Sequence, residues 1–152
     1  MDASALLIAL LLLAPWLPAQ DVAFREFFEP TPRELRPSAR LLSLEGRRVR
    51  LVGFMVRSEE PPTGGFFLCP FPAVATESGG GTADLPPETV FVVVPAARGR
   101  LIPHSTRQVV VEGVLELGSR AGEDGQVSAI RVVLDRPLPN AAGPGQPALS
   151  QP

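Results

Sequence analysis

Few residues in this sequence are of kinds that do chemistry, and their spacing argues against most of it. His104 is the only histidine, so one general base of that kind exists. Its neighbouring hydroxyls, Ser105 and Thr106, follow Pro103, and no nucleophile-elbow sequence supplies the sharply turned serine of a triad. A solvent-exposed loop histidine is expected. Cys69 is the only cysteine, which excludes an internal disulfide and a cysteine-cluster metal site and predicts a buried core thiol. Glu59-Glu60 and Glu123-Asp124 are acidic pairs in turn sequences. Adjacent turn residues do not hold the fixed separation of two catalytic carboxylates, so they read as solvated loop charge. Gly79-Gly80-Gly81 lacks the lysine and following helix of a phosphate-cradling loop and reads as flexible linker. Arg47, Arg48 and Arg50 could receive an anion. A charge run on a strand is more often its wet face, and Glu45 and Glu112 should lie near these arginines if their strands pair. No catalytic residue, cofactor or metal ligand is predicted, and the chain reads as a non-enzyme.

Composition narrows the partners. With 152 residues, 45% apolar and 20% charged, the chain fits one small domain with appendages. A net charge of -2 gives no electrostatic reason to expect nucleic acid, whose binding rests on neutralising phosphates, and an unidentified protein or small ligand is expected instead. All 14 basic residues are arginine, and 18 prolines and 14 glycines accompany them, which reads as the coding bias of a GC-rich genome. Ala3 to Leu17 is an apolar run broken by Pro15 and Pro18, too short to span a bilayer but suited to a secretory h-region. Residues 1–20 are therefore expected to be a signal peptide, cleaved after Ala19 or Gln20, with export to the periplasm or the medium and no membrane span afterwards. An uncleaved N-terminal anchor is the alternative, because no Lys or Arg precedes the run. Residues 137–152, PLPNAAGPGQPALSQP, cannot supply a packed face and are expected to be a disordered tail.

The elements between must position whatever site exists. Arg47 to Val56 alternates polar and apolar residues and carries Gly53 in mid-run, the pattern of a half-buried strand with a bend. The same spacing returns in Val109-x-Val111-x-Gly113-x-Leu115. The strands are placed at Arg47–Val56, Phe66–Phe71, Thr89–Pro95, Arg107–Leu117 and Gln126–Asp135, with Gly118–Gly125 as a hairpin loop. The third is apolar enough to be buried on both sides. Residues 21–44 read as padding for the barrel: a helical turn at Phe24–Phe28 and a short helix over Ser38–Leu44, with Ser38 as N-cap and Leu41, Leu42 and Leu44 as its apolar side. The fold class is all-β: residues 45–136 form a small five-stranded Greek-key barrel of the OB type, in which the first and fourth strands close against each other. A small open β-sandwich is the runner-up. Pro72 to Glu88 makes a loop of about 17 residues, and loops that long in compact domains are usually functional or disordered.

Residues Leu44 to Asp135 also resemble an uncharacterised family of small exported bacterial proteins, a domain of unknown function of the DUF3299 type. The likeness lies in LEGRRVRLVGFMV, FFLCPFP, LPPETVFVVV and VVVEGVLEL, in that order. The resemblance implies an OB-like fold and an exported location, and the family's setting beside transporters for metal supply implies an accessory role in metal handling as an alternative function. Where relatives carry a Cys and a His, this chain has Ala75 and Glu77, so the soft-ligand pair suited to Zn or Cu is absent. The expected function is a non-catalytic, exported OB-like binding or adaptor module. Its partner surface is placed on the loop after the second strand and the adjoining barrel face, with Phe71, Glu77, Arg48 and Arg50 as candidate binding residues.

Overall fold

The computed structural model describes residues 17–76, 81–136 and 138. Most of the expected signal peptide, nearly all of the expected tail, and Glu77 lie outside these residues. The described residues form ten strands: β1 Gln20–Asp21, β2 Phe28–Pro30, β3 Leu35–Pro37, β4 Arg48–Met55, β5 Arg57–Ser58, β6 Gly65–Cys69, β7 Val74–Ala75, β8 Val90–Val93, β9 Gln108–Ala121 and β10 Val127–Leu134. Among the described residues there is one α-helix, α1, spanning Ala39–Ser43.

Five of these strands are the predicted ones, and their pairings form a ring. β4 pairs with β6, β6 with β8, β8 with β10, β10 with β9, and β9 returns to β4. All these ladders are antiparallel except β8 with β10, which is parallel. The chain is thus mostly β, and its five main strands take the order of a Greek-key OB-like barrel instead of an open sandwich. The expected closure of first strand on fourth is the ladder from Arg48↔Val114 to Phe54↔Gln108.

The two mid-strand glycines stand where strands exchange partners. β4 pairs with β9 up to Phe54 and with β6 at Phe54 and Met55, so Gly53 lies at the changeover. β9 pairs with β4 up to Val114 and with β10 from Gly113 onward. Neither glycine has positive φ. Their need is for space: a Cβ on Gly53 would stand 2.6 Å from Cys69 O, and one on Gly113 would stand 2.1 Å from Val133 O. At both positions it is close approach of another backbone that excludes a side chain.

Inside the ring, Val49, Leu51, Phe66, Leu68, Val90, Val92, Val111, Leu115, Ile130 and Val132 form the core. The padding joins it through Phe24, Phe27, Leu41 and Leu44. Ser38 caps α1 as predicted, its Oγ accepting from Leu41 N at 3.0 Å. Leu42, expected on the apolar side, points outward and is 55% exposed, because a five-residue helix offers only one narrow stripe to the core. The predicted helical turn contracts to a 3-10 turn at Phe24–Glu26, and Phe28 already begins the β2–β3 hairpin, which the prolines had hidden. β9 runs to Ala121, so half of the expected Gly118–Gly125 loop is strand.

Candidate binding surface

β6 is buried at every position, which a strand on a one-sided barrel wall would not be. Phe66 and Leu68 face the main core, while Phe67 and Cys69 join Val56, Ala75 and Phe91 in a second apolar cluster on the outside of the barrel. Phe67 and Phe91 pack with ring centroids 5.0 Å apart. The cover of this cluster is the long loop itself. Leu85 and Ala73 pack against the cluster, and β7 pairs in parallel with β5, Arg57↔Val74 and Ser58↔Ala75. The described part of the loop is therefore ordered by its own buried side chains, and part of it is a lid instead of a free excursion.

On the outer side of that lid the polarity reverses. Phe71 is 51% exposed and Val74 is 62% exposed, although Cys69 and Ala75, on either side of them in the chain, are buried. Arg57 N–H donates to Ala73 O at 3.0 Å and Glu59 N–H to Ala75 O at 3.2 Å, so the backbone carrying Val74 is fixed.

The candidate binding residues do not come together. Phe71 follows β6, whose Cys69 pairs with Phe54 near one end of β4. Arg48 starts the other end, about 20 Å away at the usual rise of an extended strand. Arg48 is engaged on all sides: its Nε and Nη2 pair with both oxygens of Asp135, its Nη1 donates to Leu17 O at 2.7 Å, and Glu112 lies 3.7 Å from Nη2. The hydrogen bond from Arg48 holds the Asp135 carboxyl below its ordinary range, and the same bond raises the Arg48 pKa. Arg50 pairs with Asp21 at 3.0 Å and with Glu112 at 3.9 Å. The predicted neutralisation by Glu112 is present, whereas Glu45 takes part in none of these ion pairs.

The residues of chemical type are likewise occupied with structure. Cys69 is a fully buried thiol with Sγ 3.2 Å from Thr89 Oγ1, and burial pushes its pKa up. His104 is exposed on its loop, with Nε2 3.2 Å from Met55 O. The Glu123-Asp124 pair is exposed but does more than solvate a turn. Glu123 accepts from Gly99 N at 2.7 Å and faces Arg98 at 3.4 Å, and Asp124 accepts from Thr63 N at 3.3 Å, so the pair ties three loops together. Among the described residues no group of three or more His, Cys, Asp or Glu side chains is placed to hold a metal ion. No described helix is long and apolar enough to cross a membrane.

Two residues of consequence escaped the sequence reading. Val74 sits in a stretch read as loop, and its one signal was a β-branched residue between two alanines. Arg131, which alternates with the core residues Ile130 and Val132 along β10, is itself only 4% exposed. Its Nη1 collects Gly118 O, Ser128 O and Ser128 Oγ, holding the irregularity where the β9–β10 register shifts between Ser128 and Ile130.

No protein-family model and no curated protein matches the chain. Among solved structures it is similar to the crystal structure of a DUF3299 family protein from Pseudomonas aeruginosa, at 14% identity and a TM-score of 0.48, over 79% of this chain and 95% of that one. The DUF3299 family is the one that the sequence motifs resemble. Ala75, which stands where such motifs carry a cysteine, is buried in the second cluster with Cys69.

Proposed function

We propose that this protein is an exported, non-catalytic binding or adaptor module, and that Phe71 and Val74 on the lid over the second apolar cluster are the centre of its partner surface. The observation that carries the reading is the outward display of two large apolar side chains from a segment whose neighbours are anchored inward. An apolar side chain on backbone that is already fixed, as that of Val74 is, loses little conformational freedom on association, which is what a binding surface requires. The non-catalytic part is supported by the occupations of His104, Cys69 and Glu123, each engaged in a structural bond. Export is supported by the apolar run that precedes Asp21.

The test is a comparison of the wild type with Phe71→Ser/Val74→Ser in native extracts, using crosslinking followed by identification of the captured proteins. The double variant should keep its thermal midpoint and lose the partners that the wild type captures. Identical capture by both forms would refute the surface. Accessory metal handling, the alternative, is addressed by titrating Zn and Cu into the same purified protein, where stoichiometric, tight uptake would favour it over the adaptor reading.

A further inference from the structure

The lid has an electrostatic character that the rest of the molecule lacks. Residues 58–97 contain no Arg, Lys or His, yet they carry Glu59, Glu60, Glu77, Asp84 and Glu88. All fourteen arginines lie outside this stretch. The fold brings parts of it beside Val74, whose cross-strand partner on β5 is Arg57. The β5–β7 register sets Ser58 beside Ala75, and Glu59 and Glu60 follow in the bend after β5. The 3-10 turn Gly81–Asp84 lies against β7. Glu88 precedes Thr89, whose hydroxyl reaches Cys69 two residues before Phe71. Glu60 and Asp84 are exposed, Glu88 is half-buried, and Arg57 is the one cation on the ribbon. Because Arg57 N–H is bonded to Ala73 O and Glu59 N–H to Ala75 O, the parallel ladder turns the N–H and C=O of Val74 away from β5.

We infer that this surface takes an extended, cationic and apolar segment of a partner protein, in which Lys or Arg alternates with aliphatic or aromatic residues. The inference rests on the binding-module reading and adds the partner's chemistry. An extended chain can align its backbone with that of Val74 and place alternate side chains over Val74 and Phe71, as peptides do when they lie along a sheet edge. Its intervening cations meet the carboxylates of Glu60, Asp84 and Glu88, which steer association and set specificity. A second copy of this chain would bring carboxylates against carboxylates, and an anionic membrane or nucleic acid would be repelled in the same way.

The test uses the full chain, with fluorescence anisotropy of three labelled nonapeptides: alternating Lys and Val/Phe, alternating Glu and Val/Phe, and alternating Lys and Ser. The first should bind at least about tenfold more tightly than either of the others, and its binding should weaken about fivefold or more between 0.05 and 0.5 M NaCl as surface charge is screened. Glu60→Gln/Asp84→Asn/Glu88→Gln should lose most of the preference for Lys over Glu, and Phe71→Ser/Val74→Ser should lose binding, with circular dichroism reporting that both variants are folded. Equal binding of the Lys and Glu peptides, or an unchanged preference in the charge variant, would overturn the inference. Concentration-dependent dimerisation abolished by Phe71→Ser/Val74→Ser would overturn it in favour of a second copy. If native partners are lost in Phe71→Ser/Val74→Ser but kept in the charge variant, the cationic segment is wrong and the binding surface stands. If neither variant changes capture or peptide binding, both fall.

Discussion

At the scale of single residues, Arg48 shows how a candidate binding group can be fully occupied with structure. Its side chain is only 10% exposed and meets two carboxylates and a carbonyl, drawn from the residue after β10, from β9 and from the segment before β1. Asp135 carries the linkage: its folded-state pKa is lowered chiefly by the hydrogen bond from Arg48. Its contribution is therefore complete above the unfolded value of about 4 and is lost as pH falls through the lower folded value. Asp135→Asn should cost about 1 kcal/mol at pH 7, a modest figure because the pair is partly solvated. Urea midpoints should show that the deficit against wild type shrinks progressively below about pH 4, and a deficit independent of pH would mean that packing and not the ion pair was lost. Gly113 gives the opposite kind of sensitivity. A Cβ there would stand 2.1 Å from Val133 O, so Gly113→Val should cost about 3 kcal/mol or more. Gly53→Val should act in the same direction, since its Cβ would overlap Cys69 O, although an ordinary strand position would gain from valine. Unchanged denaturant midpoints in both would remove the close-approach account.

At the scale of elements, the lid segment divides into parts with different duties. Ala75 and Leu85 hold it to the second cluster, whereas the sequence between them, from Thr76 to Thr82, contains no large apolar residue. Replacing Thr76–Thr82 by two glycines should leave the unfolding midpoint within about 1 kcal/mol of wild type, because closure entropy changes slowly with loop length and both anchors are retained. Partner capture should be lost with the same change if β7 is held at its angle by this connection. Capture that survives would confine the binding surface to Phe71 and Val74 alone. The N-terminal segment repeats the principle. β1 is only two residues long, but it pairs with Val49 and Arg50 on the edge of β4 just before β6 takes over.

At the scale of the whole molecule, the segment leading into β1 and the end of β10 meet at Arg48, while the lid lies toward the other end of β4. A chain released from the expected signal peptide would begin within or next to β1. Intact mass of the exported form should place its first residue at Gln20 or Asp21, and recovery of a chain retaining Met1 would count for an uncleaved anchor. Cleavage there removes the Arg48 bond to Leu17 O but keeps the Asp21 pair with Arg50, so the mature barrel should be nearly as stable as the longer form.

The sequence by itself determined the five barrel strands, the helix cap at Ser38 and the partnership of the first and fourth strands. Each of these is written in local periodicity or in a glycine spacing that repeats. The buried thiol and the exposed histidine were legible too, since residue type and flanking prolines bias both. What only the tertiary structure decided is who stands over whom. The burial of Arg131 depends on a register shift between two strands, the ties made by Glu123 depend on loops distant in sequence, and the double burial of β6 depends on a loop folding back over its outer face. The exposure of Phe71 and Val74 is of that kind as well. An apolar residue in a loop reads the same whether it turns inward or outward, and the choice was made by the buried neighbours, Cys69 and Ala75, that fixed the segment between them.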